Sequence, residues 1–137
     1  MDLPSPILRV TLGFLKAGRV LDNCSSVLLL GTLALPLAGH PAPLAVLGAL
    51  ALAATEKYFA WRVALDVEFY RWLNKRPQDA PEFDAAMGAF LSSRGEFPPR
   101  SWESRWHGSR QLVVRQAVAL GLQAAAVSGL VVWVVRW

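Results

Sequence analysis

The chain has 137 residues, 54% of them hydrophobic, and a formal net charge of +4. That length suits one domain, and the single cysteine, Cys24, excludes an intramolecular disulfide and a thiolate metal cluster. The basic excess does not read as a nucleic-acid stripe, because Asp66, Glu68, Asp79, Glu82, Asp84, Glu96 and Glu103 interrupt the arginines; beside apolar blocks, an anionic lipid surface is the better-matched partner.

Charge is distributed in blocks. No Asp, Glu, Lys or Arg occurs from Asn23 to Thr55, or from Ala117 to Val135. Runs this long suit a hydrocarbon solvent, in which helices satisfy their own backbone. The predicted fold class is therefore all-α: a small integral membrane protein with three transmembrane helices, a helical hairpin plus a C-terminal span. An N-terminal amphipathic helix and a cytoplasmic helical segment complete it.

The first predicted element is the amphipathic helix, residues 5–22, with Ser5 as cap and Pro6 at the first helical position. Arg9, Lys16, Arg19 and Asn23 fall on one stripe, with Ile7, Val10, Phe14 and Leu21 opposite. It lies in the headgroup region or else extends the first span and packs on its neighbours. A basic stretch ahead of an apolar one also resembles a signal peptide, but its length and the second apolar run predict an uncleaved segment. Cys24, beside the apolar run, is expected to be a buried structural thiol.

Span 1 is predicted at 23–39, a Gly-His-Pro-Ala-Pro turn follows, and span 2 is predicted at 43–61. Both arms fall slightly short of the roughly 20 residues a crossing needs, so a re-entrant hairpin is the alternative to two crossings. Lys57 with Tyr58, Phe59 and Trp61 completes the second arm as an interfacial belt. The helical pattern continues over 56–75, where Arg62 and Asp66 sit four apart among apolar residues. They are a candidate buried ion pair, fixing register or meeting a partner's polar group.

Residues 76–110 are predicted to be a cytoplasmic loop containing a short helix at 80–91, opened by a capping-box-like Asp79–Glu82. Arg94–Arg100 is predicted to be a loop, and Ser101 to cap the last helix. Arg105, Trp106, His107 and Arg110 are candidate lipid-headgroup contacts. Span 3 is predicted at 111–135, ending on Arg136-Trp137. Ala117, Gly121, Ala125 and Gly129 recur every four residues along it, as Ala45, Ala49 and Ala53, with Gly48 alongside, do in span 2. Such ridges are candidate helix-packing faces. Gln123 and Ser128, mid-span, are expected to point inward to hydrogen-bond partners.

Basic residues flank the spans on one side, with only Arg136 beyond span 3 on the other. The positive-inside rule places the N-terminus and residues 62–110 in the cytoplasm and the C-terminus outside, in a cell (inner) membrane. Abundant arginine and the lone isoleucine, Ile7, resemble the usage of a GC-rich bacterial genome. His40 and His107 lack partners at ligand spacing, and no nucleotide-binding or hydrolase motif occurs, so neither metal nor cofactor is implied and no catalytic residue is nominated. The expected role is a non-catalytic accessory or scaffold subunit of a membrane complex, joined to a partner protein or to its own copies. A homo-oligomeric channel or transporter component and a lipid-headgroup binding or modifying protein are the rivals.

Overall fold

The computed structural model describes residues 5–91 and 101–136; the predicted loop Arg94–Arg100 and the anchor residue Trp137 lie outside these. Among the described residues there are four helices and no strand: α1 (Ser5–Ala38), α2 (Pro43–Lys75), α3 (Ala80–Leu91) and α4 (Trp102–Arg136). A single 3-10 turn, Pro77–Asp79, precedes α3. Helices α1, α2 and α4 are each long and apolar enough to cross a membrane by length and composition.

Residues 5–22 extend the first span, the second of the two expected arrangements, and do not form a separate amphipathic helix. α1 runs unbroken for 34 residues, because Asp22 and Asn23 do not interrupt the helix here. The Asp22 carbonyl accepts a bond from Ser26 Oγ one turn on (2.9 Å), and its carboxylate turns sideways to Lys57 of α2. The buried face of this segment also differs from the wheel prediction. Leu8, Thr11, Leu15 and Gly18 are inside, whereas Val10 and Phe14 are exposed. Because the segment packs against two helices instead of a flat lipid surface, small and polar residues occupy its inner stripe.

The turn after α1 is short, and Pro43 opens α2 at its first position with Ala42 as the residue before it. Gly39 is needed for close approach: a Cβ there would stand 2.8 Å from Val134 of α4. α2 passes through the predicted boundary near 61 without a break to Lys75. α3 has the predicted bounds. It docks by Phe83 against Phe69 (5.0 Å between centroids) and Trp72 (5.8 Å) of α2, and by an Asp84–Arg105 ion pair to α4. α4 starts at Trp102, directly after the predicted cap, and runs on through the span predicted at 111–135; Ser101 caps it by accepting the Ser104 N–H (3.2 Å).

The three long helices form one bundle whose interior repeats every seven residues. The buried series are Thr11, Gly18, Ser25 and Thr32 on α1; Ala49, Glu56, Val63 and Tyr70 on α2; and Ser109, Gln116, Gln123 and Leu130 on α4. A seven-residue recurrence is the pattern of knobs-into-holes packing. Contacts set the register: Gly18 meets Val63 and Gln116, Ser25 meets Gln123, and Tyr70 lies 3.5 Å from Ser109. α1 and α4 are thus parallel, with α2 antiparallel to both. Two apolar clusters result, Leu8–Leu15–Val63–Tyr70–Val113 at one end and Leu35–Ala49–Val127–Leu130 at the other. Between them lies a polar layer.

Candidate functional site: a buried polar layer

Glu56 lies at the centre of this layer with no exposed surface, as do Ser25, Gln116 and Gln123. The Gln116 amide Nε2 donates to Glu56 Oε1 (2.8 Å) and to the Gly18 carbonyl (2.9 Å), joining α4 to both other helices. One step along, Ser25 Oγ donates to Gln123 Oε1 (2.8 Å), and Gln123 Nε2 returns a bond to the Ser25 carbonyl (3.2 Å). Beside these, Lys57 Nζ donates to Asp22 Oδ1, the Asp22 carbonyl (3.0 Å) and Ser26 Oγ (2.7 Å). Its charge is 3.7 Å from Glu56 Oε2. Glu56 Oε2 and Gln116 Oε1 are buried without a hydrogen-bond partner among the described residues.

These bonds tie the three helices together within the layer. In hydrocarbon an amide or carboxyl group that lacks a partner costs several kcal/mol, roughly the desolvation cost of the group. Gln116 is therefore tied to one register of α1 and α2, and Gln123 to one register of α1. The layer can hold three helices at fixed heights. No group of three His, Cys, Asp or Glu residues suited to a metal occurs among the described residues.

A second polar cluster sits in the other half of the bundle. Ser109 Oγ donates to Asp66 Oδ2 (2.7 Å) and lies beside the Tyr70 hydroxyl. Burial pushes the Tyr70 phenol above its ordinary 10.0; the Ser109 contact opposes this, the Asp66 charge adds to it and the Arg105 charge opposes it. Because the folded value is the higher, the folded state holds its proton while the unfolded chain loses it. Stability from this group is complete below pH 10 and declines as pH rises through and beyond it. Thermal unfolding should therefore occur at lower temperature at pH 11 than at pH 9, and Tyr70→Phe should flatten that difference. An equal decline in the variant would exclude Tyr70 as its source.

The sequence-predicted residues do not gather at one place in the bundle. Arg62 is exposed, Asp66 accepts a bond from Ser109 of α4, and no Arg62–Asp66 ion pair is found among the described residues. Arg105 is almost buried, paired with Asp84 and lying 5.3 Å over the Trp102 ring; its charge is used within the bundle. Trp106, His107 and Arg110 are exposed, with Arg110 5.9 Å from the Trp106 ring. Of the small residues, only Ala49 and Ala53 enter the core. Ala45, Gly48, Ala117, Gly121, Ala125 and Gly129 face outward. Gln123 points inward as expected, but Ser128 and Cys24 are exposed.

Glu56, Gln116, Gly18 and the Asp22–Lys57 pair escaped the sequence reading. The available signal was the seven-residue spacing of Ser109, Gln116 and Gln123, which the four-residue Ala/Gly spacing masks on the same helix. Comparison of the chain with protein-family models, with curated proteins and with solved structures finds no match.

Proposed function

We propose that this protein is a non-catalytic scaffold subunit of a membrane complex, and that it receives a transmembrane helix of a partner protein in a groove between α2 and α4. The observation that carries this reading is an open, apolar groove of about 750 Å³ lined by Ala45, Gly48, Leu52, Ala125, Gly129 and Trp133, among others. Small residues there let a partner backbone come close, which is how helices associate where lipid supplies no hydrophobic drive. The polar residues are engaged inside the bundle, so they hold its shape and leave the groove uncharged. With the basic flanks inside, the N-terminus and residues 62–110 face the cytoplasm and the C-terminus lies outside.

The glycines provide the test. A Cβ at Gly48, Gly121 or Gly129 meets nothing within 4 Å, so larger side chains there spare the bundle itself. Gly48→Leu and Gly129→Leu should abolish a complex seen by size-resolved purification in mild detergent, with the thermal stability of the lone chain unchanged. Gly121→Leu, outside the groove lining, should leave the complex intact. Retention of the complex in both groove variants would refute the proposal; a complex made only of copies of this chain would replace the partner with a second copy.

A further inference from the structure

Three exposed arginines stand at one height on three different helices. Gly18 touches Val63 and Gln116, and Arg19, Arg62 and Arg115 are the immediate sequence neighbours of these three residues and are all exposed. From each arginine to the far end of its helix (Arg19 to Ala38, Arg62 back to Pro43, Arg115 to Arg136) the chain rises about 30 Å. That is the thickness of a bilayer's hydrocarbon core. Over this stretch no fully exposed charged residue occurs among the described residues before Arg136; Asp22 and Lys57 are partly buried and paired with each other. Tyr58 and Trp61 are exposed on α2 just inside this level, where an aromatic belt belongs. On the other side, the nearest exposed acid of α2, Glu68, is bound to Arg71.

We propose that Arg19, Arg62 and Arg115 form a collar that binds the phosphate groups of anionic phospholipids at one membrane face. A guanidinium matches a phosphate with two parallel donors, and three of them at one height on three helices can each meet a headgroup. Arg105, among the residues whose sequence context suggested headgroup contact, lies about 15 Å beyond this level and is neutralised by Asp84. The inference rests on the membrane-spanning reading and is independent of the groove.

The test uses the full chain in vesicles containing brominated phosphatidylglycerol or brominated phosphatidylcholine, with tryptophan quenching reporting the relative association of the two lipids. The wild type should prefer the anionic lipid, and the Arg19→Gln, Arg62→Gln, Arg115→Gln triple variant should lose about fivefold of that preference per charge removed. The corresponding Arg→Lys triple variant should keep most of it. Arg71→Gln with Lys75→Gln, well outside the collar, should change little. If the glutamine triple variant does not fold, the three single variants carry the comparison. Unchanged preference in the glutamine variants, or an equal loss in the Arg71/Lys75 control, overturns the collar. Failure of the wild type to enter vesicles would instead overturn the membrane reading.

Discussion

Replacing Gly18 with leucine is expected to prevent the bundle from assembling. A Cβ at this position would stand 2.7 Å from Val63 Cγ1 and 2.9 Å from Gln116 Oε1. Both neighbours are buried, Val63 in the core and Gln116 in the polar layer, so neither can move aside freely. Alanine alone should cost about 1–3 kcal/mol, the usual range for overpacking a tight core. Leucine must also push α1 away from α4, breaking the bond from Gln116 to the Gly18 carbonyl. Thermal unfolding in detergent would show a reduced midpoint for Gly18→Ala and little folded Gly18→Leu. Val63→Ala, which removes the nearest clashing atom, should restore part of the loss in Gly18→Ala. Wild-type stability of Gly18→Ala would mean that the helices separate easily at this level.

Gln116→Leu should be the most damaging change in the polar layer. It removes the donor to Glu56 Oε1 and to the Gly18 carbonyl at once. Glu56 already has one oxygen without a hydrogen bond, so the variant leaves its whole carboxyl group buried without a donor. Leaving a buried polar group without its hydrogen-bond partner costs about 1–3 kcal/mol, and the Gly18 carbonyl loses the same donor. Gln123→Leu removes only the exchange with Ser25, and interhelical bonds of that kind in membranes average about 0.6 kcal/mol. A double replacement, Glu56→Leu with Gln116→Leu, should cost less than the sum of the two single changes, because it removes the orphaned carboxyl together with its donor. Strict additivity in the unfolding free energies would show that the two side chains do not act as a unit.

The short helix at 80–91, the start of α2 at Pro43 and the Ser101 cap were legible because each depends on a local rule. Proline at a first helical turn, an acid in the opening turn and a serine preceding the last helix act within a few residues of chain. Charge-free runs were equally legible, since hydrocarbon selects against charge residue by residue. The interior of the bundle was not, and the small residues of α4 show why. Ala117, Gly121, Ala125 and Gly129 make the more obvious repeat, yet they face outward, while Gln116 and Gln123 point in. A composition of Ala, Gly and Leu on all sides of a helix gives little contrast between faces, so its periodicity does not say which face is covered. The Arg62–Asp66 spacing similarly permitted a local pair, but Ser109, 43 residues away, offered Asp66 a bond across the bundle.

The sequence by itself determined three apolar helices, the basic side of their flanks and the absence of a familiar chemical motif, all of which follow from local composition. The tertiary structure decided that Ser5–Ala38 is one helix, that Glu56 is enclosed, and that Arg19, Arg62 and Arg115 share a height. The physical reason is that burial of a carboxyl group and the relative height of side chains on separate helices depend on interhelical register. That register is set by Gln116, Gln123 and Gly18, through contacts between residues far apart in the chain.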